Sequence, residues 1–400
     1  MEVLPLILSL ISTIPIFFCG YKFYHHRKSK LKLYLSASTI KLFYPSSAIK
    51  TLLRDNNYKN LPDSTFIDYS IALKKGYYQN DILKLDLSIN GNIVNTDFPY
   101  KEIINYTRNP NIRIHIERQI DSSFQLNEYI NKKTQQNLND YLLQKPKTTN
   151  GQALRISSFS STSDKNVYLC TLQSATYYDQ IRTNLTLDVP LLDEGENTIR
   201  IMDLSQQKSL KPFEDSIMAN TIGVSTIWYM NNKKGDKKNK LQFFLKPRQT
   251  QIGVFTNMLG TVSGVVEPIS RKNKIKTLEE HVTNEILREF FEETGFDRYM
   301  SDNNIAPSQI TITPLAFCRE LTRGGKPQFF FLIKTPHVTE SDFYKYFKQS
   351  VDGKNEFKDE FLTKLPNYSL SPEVVMNYIY AFLYLQKERF DIHKYIDLDP

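Results

Sequence analysis

The chain has 400 residues, of which 40% are hydrophobic and 12% aromatic, enough for two or three domains with packed cores. Its 51 Lys and Arg against 43 Asp and Glu give a net charge of +8, which suits an acidic partner such as a nucleotide, a nucleic acid or an anionic lipid. Three scattered cysteines, Cys19, Cys170 and Cys318, exclude a disulfide framework or a cysteine zinc site.

Residues 3–21, VLPLILSLISTIPIFFCGY, carry no charge. At 1.5 Å per residue the segment spans about 28 Å, near the roughly 30 Å of a bilayer core, so a transmembrane helix is expected. Pro5 and Pro15 are tolerated in such a helix. A cleavable signal peptide is the alternative, but it lacks a basic leader and a small-x-small cleavage site. Lys22, Arg27, Lys28, Lys30 and Lys32 follow the span and only Glu2 precedes it. The expectation is a single-pass protein of the inner (plasma) membrane with its C-terminal body in the cytoplasm. Ser9, Ser12 and Thr13 give the span a polar face, suited either to self-association or to bonding back onto the same helix.

Residues 33–210 read as a mixed α/β region of unknown role, with sensing as one option. LKLYLSAS and IRIHIERQI alternate like strands. Ser122 to Leu143 reads as one amphipathic helix. The Thr/Ser/Lys-rich stretch 145–165 reads as a surface loop or domain boundary. Val167 to Val189 is rich in aromatic and β-branched residues. Within it, Tyr177, Tyr178 and Arg182 form either a base-stacking, phosphate-contacting surface or ordinary core and rim.

Residues 215–395 read as a further domain. Ile222–Met230 and Leu241–Leu245 are expected strands joined by NNKKGDKKNK. Lys246, Arg248 and a loop around Gly264 follow. Strands are expected again at Ile310–Arg319 and Gln328–Lys334, with Gly324-Gly325 between them, and a closing helix at 371–387. The central element is Glu280 to Phe296, a helix ending at Gly295. Val282, Ile286, Leu287, Phe290 and Phe291 make its apolar stripe. Glu285, Glu289, Glu292 and Glu293 lie on the other side, close enough to repel. A divalent cation would turn that repulsion into binding, with Arg288 as an internal counter-ion; the plainer alternative is a solvated acidic face.

The run Arg288-Glu289-Phe290-Phe291-Glu292-Glu293-Thr294-Gly295-Phe296, with Glu280 eight positions before Arg288, resembles the Nudix box, G-x5-E-x7-R-E-U-x-E-E-x-G-U, in which U is aliphatic or aromatic. Lys274 stands where the box opens with glycine. Gly264, in Ser263-Gly264-Val265-Val266-Glu267-Pro268, is similar to the Gly-Gly-x-x-Glu-Pro loop of the family, and implies about ten inserted residues before the helix. The resemblance implies an α+β, α-β-α fold with a mixed sheet between helices, behind the N-terminal transmembrane helix and the mixed α/β middle region. It further implies Mg2+ or Mn2+ held by Glu289, Glu292 and Glu293, and Arg288 paired with Glu280 or Glu289. The general base would be Glu289 or a later glutamate such as Glu320. Thr277-x-x-Glu280 is also a capping box, which gives Glu280 a second role. Lys246, Arg248, Arg319, Arg323 and Lys326 are basic residues suited to phosphate or to the surface, and Gly264 belongs to the substrate loop.

An anchor ahead of such a domain resembles, in architecture, the membrane-anchored Nudix effectors of bacterial cyclic-oligonucleotide (CBASS) antiphage systems. The resemblance implies metal-dependent hydrolysis of a nucleoside-diphosphate-linked pyrophosphate. The alternative is a non-catalytic sensor of a cyclic oligonucleotide whose transmembrane helices assemble to disrupt the membrane.

Overall fold

The computed structural model describes residues 30–35, 41–45, 66–69, 71–73, 76–89, 92–231, 241–243, 246–247, 258–270, 275–336, 338–352 and 370–387. The expected membrane span and Arg248 lie outside the described residues. Among those residues, no helix is long and apolar enough to cross a membrane.

The fold is mixed α/β. In chain order the strands are β1 (Lys30–Leu35), β2 (Lys41–Pro45), β3 (Leu83–Ile89), β4 (Asn92–Phe98), β5 (Tyr100–Asn105), β6 (Arg113–Ile120), β7 (Gln152–Ser161), β8 (Val167–Thr176), β9 (Gly223–Asn231), β10 (Leu241–Phe243), β11 (Lys246–Pro247), β12 (Leu259–Gly260), β13 (Val262–Val265), β14 (Thr311–Glu320) and β15 (Lys326–Thr335). The helices are α1 (Glu128–Lys133), α2 (Gln135–Gln144), α3 (Tyr177–Gln180), α4 (Ile199–Asp203), α5 (Leu278–Thr294), α6 (Phe296–Asp302), α7 (Glu340–Phe347) and α8 (Pro372–Lys387).

The central sheet runs β10-β9-β15-β14-β5, with β13 beside β9. β9 and β15 are parallel, while β10, β13, β14 and β5 join their neighbours antiparallel. Strand alternation gives the sheet two apolar faces. Phe329, Phe331 and Ile333 share one core with Val282, Ile286 and Phe290 of α5. Trp228 sits edge-on to Phe290 at 5.1 Å and to Phe296 at 5.7 Å, and its Nε1 donates to Thr335 Oγ1 at 2.9 Å. Phe330 points the other way and stacks on Tyr380 of α8 at 5.9 Å. The sheet is thus sandwiched between α5 and α8, and full burial of a residue such as Phe290 contributes about 1.5–3 kcal/mol.

Two further sheets come from the N-terminal half: β2-β1-β3-β4, and β6-β8-β7 with β6 parallel to β8. The middle region also supplies β5 to the edge of the central sheet. The boundary drawn between 210 and 215 therefore does not divide the sheets.

Two sequence expectations for the middle region need correction. The stretch 145–165 contains strand β7, whose Ala153, Leu154 and Ile156 are fully buried against β8. Its serines sit on the less buried part of the strand, which made the segment look like a loop. The single helix expected over 122–143 is instead α1 and α2. Asn127 caps the first by accepting from Ile130 N–H at 2.8 Å, and the Thr134 hydroxyl bonds back to Ile130 O at 2.7 Å where the helices meet. The aromatic run after Val167 leaves its strand at Thr176, where a Thr176–Asp179 capping box starts α3 and a π-helical turn follows over Ile181–Leu185. Tyr177 and Tyr178 pack against the core of Ile130, Leu138 and Tyr141, and Arg182 donates to Asn131 and Gln135. Those contacts fit the core-and-rim reading.

The elements expected after residue 215 are all present among the described residues. β9, β10, β14, β15 and α8 lie where alternation and helical spacing put them, and Gly324 and Gly325 make the left-handed turn between β14 and β15.

Candidate functional site

Helix α5 begins where Thr277 accepts from Glu280 N–H at 3.4 Å. It ends at Gly295, which takes φ +67° and donates to Phe291 O at 2.8 Å. A Cβ at Gly295 would stand 2.5 Å from Tyr346 O, so glycine is required both for the turn and for the close approach of α7. The apolar stripe turns Val282, Ile286 and Phe290 into the core and leaves the acidic residues along one flank.

Arg288 is the centre of that flank. Its Nη1 donates to Glu292 Oε2 at 2.6 Å, and its Nη2 donates to Glu289 Oε1 at 2.8 Å and Glu285 Oε2 at 3.1 Å. Glu267 Oε1 is 3.8 Å from the same nitrogen. Four carboxylates against one guanidinium leave a formal charge of −3 (4 − 1) at this spot. Burial works against the charge on Arg288, but Glu289 and Glu285 outweigh it and hold the guanidinium above its ordinary range. Burial pushes the Glu292 carboxyl up; Arg288 opposes this, and the charges of Asp352 and Glu267 add to it. Asp352 is brought close by its N–H, which donates to Glu292 O at 3.0 Å.

The glycine strand is fastened to this helix by side chains. Ser263 N–H donates to Glu293 Oε1 at 3.1 Å, and Glu267 N–H donates to Glu285 Oε2 at 3.0 Å. Buried His281 bonds through Nε2 to Glu267 O at 2.8 Å, which assigns the ring proton to that nitrogen. Gly264 lies directly against Glu289, where a Cβ would stand 2.0 Å from Oε1. Only glycine lets the Glu289 side chain cross the strand.

Several expected site residues lie elsewhere. Glu280 is exposed, and the ion pairs of Arg288 go to other acids. Eight residues along a helix are about 12 Å, too far for a pair with Glu280, whereas the other expected partner, Glu289, is bonded at 2.8 Å. Glu293, expected as the third metal ligand, is almost fully buried and turned to Ser263 N–H. Glu320, the alternative base, is on the α8 face of the sheet, fully buried and paired with Arg323 and Thr322. Arg323, expected to meet phosphate, is buried in the same cluster, 3.6 Å from Glu373. Lys326 donates there to Gln328 Oε1 at 3.2 Å, and burial together with the nearby Arg323 pushes its amine down to about 7. Arg319 is buried over the Phe213 ring and donates to Gly325 O and Lys211 O. Lys246 pairs with Gly260 through its backbone.

Three acids at the site were not among the expected metal ligands, although Glu285 belongs to the acidic flank and Glu267 to the glycine loop read from the sequence. Glu285 stands one turn before Arg288, on the flank where helical spacing places it. Glu267 follows Gly264 by three residues. Asp352 has no local signal, because tertiary folding brings it to the helix.

The donor chemistry fits a hard divalent cation: carboxylate oxygens only, an excess of negative charge, and a glycine where a Cβ would fill the space beside Glu289. As arranged, the carboxylates surround Arg288 rather than one common point, and among the described residues no three His, Cys, Asp or Glu side chains converge as a ready-made metal site. The chain matches no protein-family model, and it has no match among curated proteins.

Proposed function

We propose that the chain is a metal-dependent pyrophosphohydrolase of the Nudix type, acting on a nucleoside diphosphate linked to a second group. The observation that carries this reading is the Arg288 centre, where four carboxylates meet one cation beside a strand that only glycine can occupy. A purely structural helix face gains nothing from that charge excess. Glu289 and Glu292 would hold Mg2+ or Mn2+, with Glu285 and Glu267 adding negative charge. The ion, when bound, supplies charge neutralisation on the pyrophosphate and a more acidic water. Arg288 orients Glu289 by a charge-assisted bond. Glu285 and Glu293 hold the Ser263–Glu267 strand at a fixed depth. Glu289 stands as the general base, since Glu320 is held in its buried pair with Arg323 on the opposite face.

The test replaces Glu289 and Glu292 by Gln and measures hydrolysis of ADP-ribose, NAD+ and a dinucleoside polyphosphate with Mg2+ or Mn2+. Turnover in the unmodified protein and its loss in the double variant support the reading. A folded protein with no turnover on this panel overturns it.

A second reading is favoured by one observation: Arg288 already bonds Glu285, Glu289 and Glu292 without a metal. In that reading the fold binds a cyclic oligonucleotide without hydrolysing it, and the anchor at 3–21, in the inner membrane with the body in the cytoplasm, assembles and disrupts the bilayer as a CBASS-type antiphage effector. Cell toxicity that depends on a cyclic oligonucleotide and survives the Glu289→Gln, Glu292→Gln double change would select it.

A further inference from the structure

The segment between the glycine strand and the acidic helix is held at both ends by the middle region. At its start, Leu154 N–H of β7 donates to Val266 O at 2.7 Å, and Ile222 N–H donates to Leu154 O at 2.8 Å. At its end, Ile116 N–H of β6 donates to Lys276 O at 3.1 Å, and His115 bridges Thr277. β6 and β7 are the outer strands of one three-stranded sheet, and Ile116 lies opposite Cys170 while Leu154 lies opposite Ser174, so the two fixed points are offset both across and along the sheet, by about 16 Å. The buried Glu279 completes the hold. Its carboxylate accepts from Tyr106 O–H at 2.9 Å and from Ile114 N–H at 2.9 Å, in the first turn of α5. Burial raises the Glu279 carboxyl, and bonds from Ile114 N–H and Tyr106 oppose that rise. Helix α5 carries Glu285 and Glu289 one to three turns further on, against Glu267 N–H and Gly264.

We infer that Glu279 and Tyr106 are positioning residues, through which β6 and the end of β5 set where the acidic flank of α5 meets the Gly264 strand. The inference rests on the proposed metal site for its functional meaning, but its first readout does not. Amide exchange at Ser263 and Glu267 reports directly on the two bonds these amides donate to Glu293 and Glu285. Glu279→Ala should speed exchange at both amides, and Glu279→Gln, which keeps an acceptor of the same shape, should restore protection. Tyr106→Phe removes only a hydroxyl, and provides the same comparison should the alanine variant fail to fold. Leu138→Ala, in the separate core of α1 and α2, is the control for general destabilisation. Mg2+ titration followed by thermal shift is the second readout: the Glu279→Ala midpoint should rise by about tenfold, the usual size of an effect exerted on a ligand from behind, with Leu138→Ala unchanged. Where turnover is measurable, kcat should fall more than KM rises. Unchanged exchange at Ser263 and Glu267 in both Glu279→Ala and Tyr106→Phe, or an equal increase in Leu138→Ala, overturns the inference. Altered exchange with no Mg2+ response in any variant leaves the positioning role standing and overturns the metal site.

Discussion

At the scale of the residue, Arg288 carries the most consequence. It answers Glu285, Glu289 and Glu292 through two nitrogens, and each of those bonds is partly exposed. Replacing it with Gln leaves Glu267, Glu285, Glu289 and Glu292 to repel one another. In a chelator, Arg288→Gln should lose on the order of 1–2 kcal/mol, since each partly solvated pair is worth a few tenths to 1 kcal/mol. Added Mg2+ should recover most of that loss in thermal unfolding, and should stabilise the variant more than the unmodified protein. Equal stabilisation of both proteins would mean that the ion does not bind among these carboxylates. The register of the acids with Arg288 could be read from the sequence, because helical spacing dictates it. Which acid the guanidinium would choose could not, because side-chain direction along α5 favours Glu285 and Glu292 over Glu280, two turns away.

At the scale of the element, α5 joins a core stripe, a left-handed end and an acidic flank in one helix. Phe290 is fully buried against Trp228 and Phe296. Truncation to Ala removes that ring and leaves a cavity, so the expected loss is about 3–5 kcal/mol in chemical denaturation. A loss below about 1 kcal/mol would show that the helix does not depend on this stripe. The stripe, the cap at Thr277 and the end at Gly295 were all apparent from local pattern. β7 was not, because its buried Ala153, Leu154 and Ile156 are embedded among serines and glycine, and their partners are β8 and Val266. The break at Thr134 was also hidden, since the pattern of apolar residues continues across it from Ile130 to Leu138.

At the scale of the whole molecule, the sheet between α5 and α8 has two unlike faces. On the α5 face Phe329, Phe331 and Ile333 join one apolar core with Val282, Ile286 and Phe290. The α8 face carries a buried polar seam: Glu320 with Arg323, Lys326 with Gln328, Gln328 with Glu373, and Asn377 with Ser225. Burial first, and then the proximity of Arg323, lowers the Lys326 amine from 10.5 to about 7. Between those values the unfolded chain binds a proton that the native protein has released, so stability should rise with pH across that window. Lys326→Met should flatten this alkaline rise, measured as thermal midpoint against pH; an unaltered slope would show that another group is responsible. The seam was not legible in the sequence. Arg323 and Lys326 read as basic residues suited to phosphate or to the surface, and only the packing of α8 reveals that they face inward.

The hold of β6 and β7 on both ends of the 266–276 segment also fixes an order of events. These strands leave the ribosome more than a hundred residues ahead of α5, so synthesis delivers the template before the part it shapes. Contacts such as Ile114 with Glu279 span 165 residues, and closing loops of that length is slow. β5 likewise leaves the ribosome well ahead of β14, so the edge it offers stays unpaired until the C-terminal half is made. Fragments that begin near residue 215 would have to fold without β5, β6 and β7.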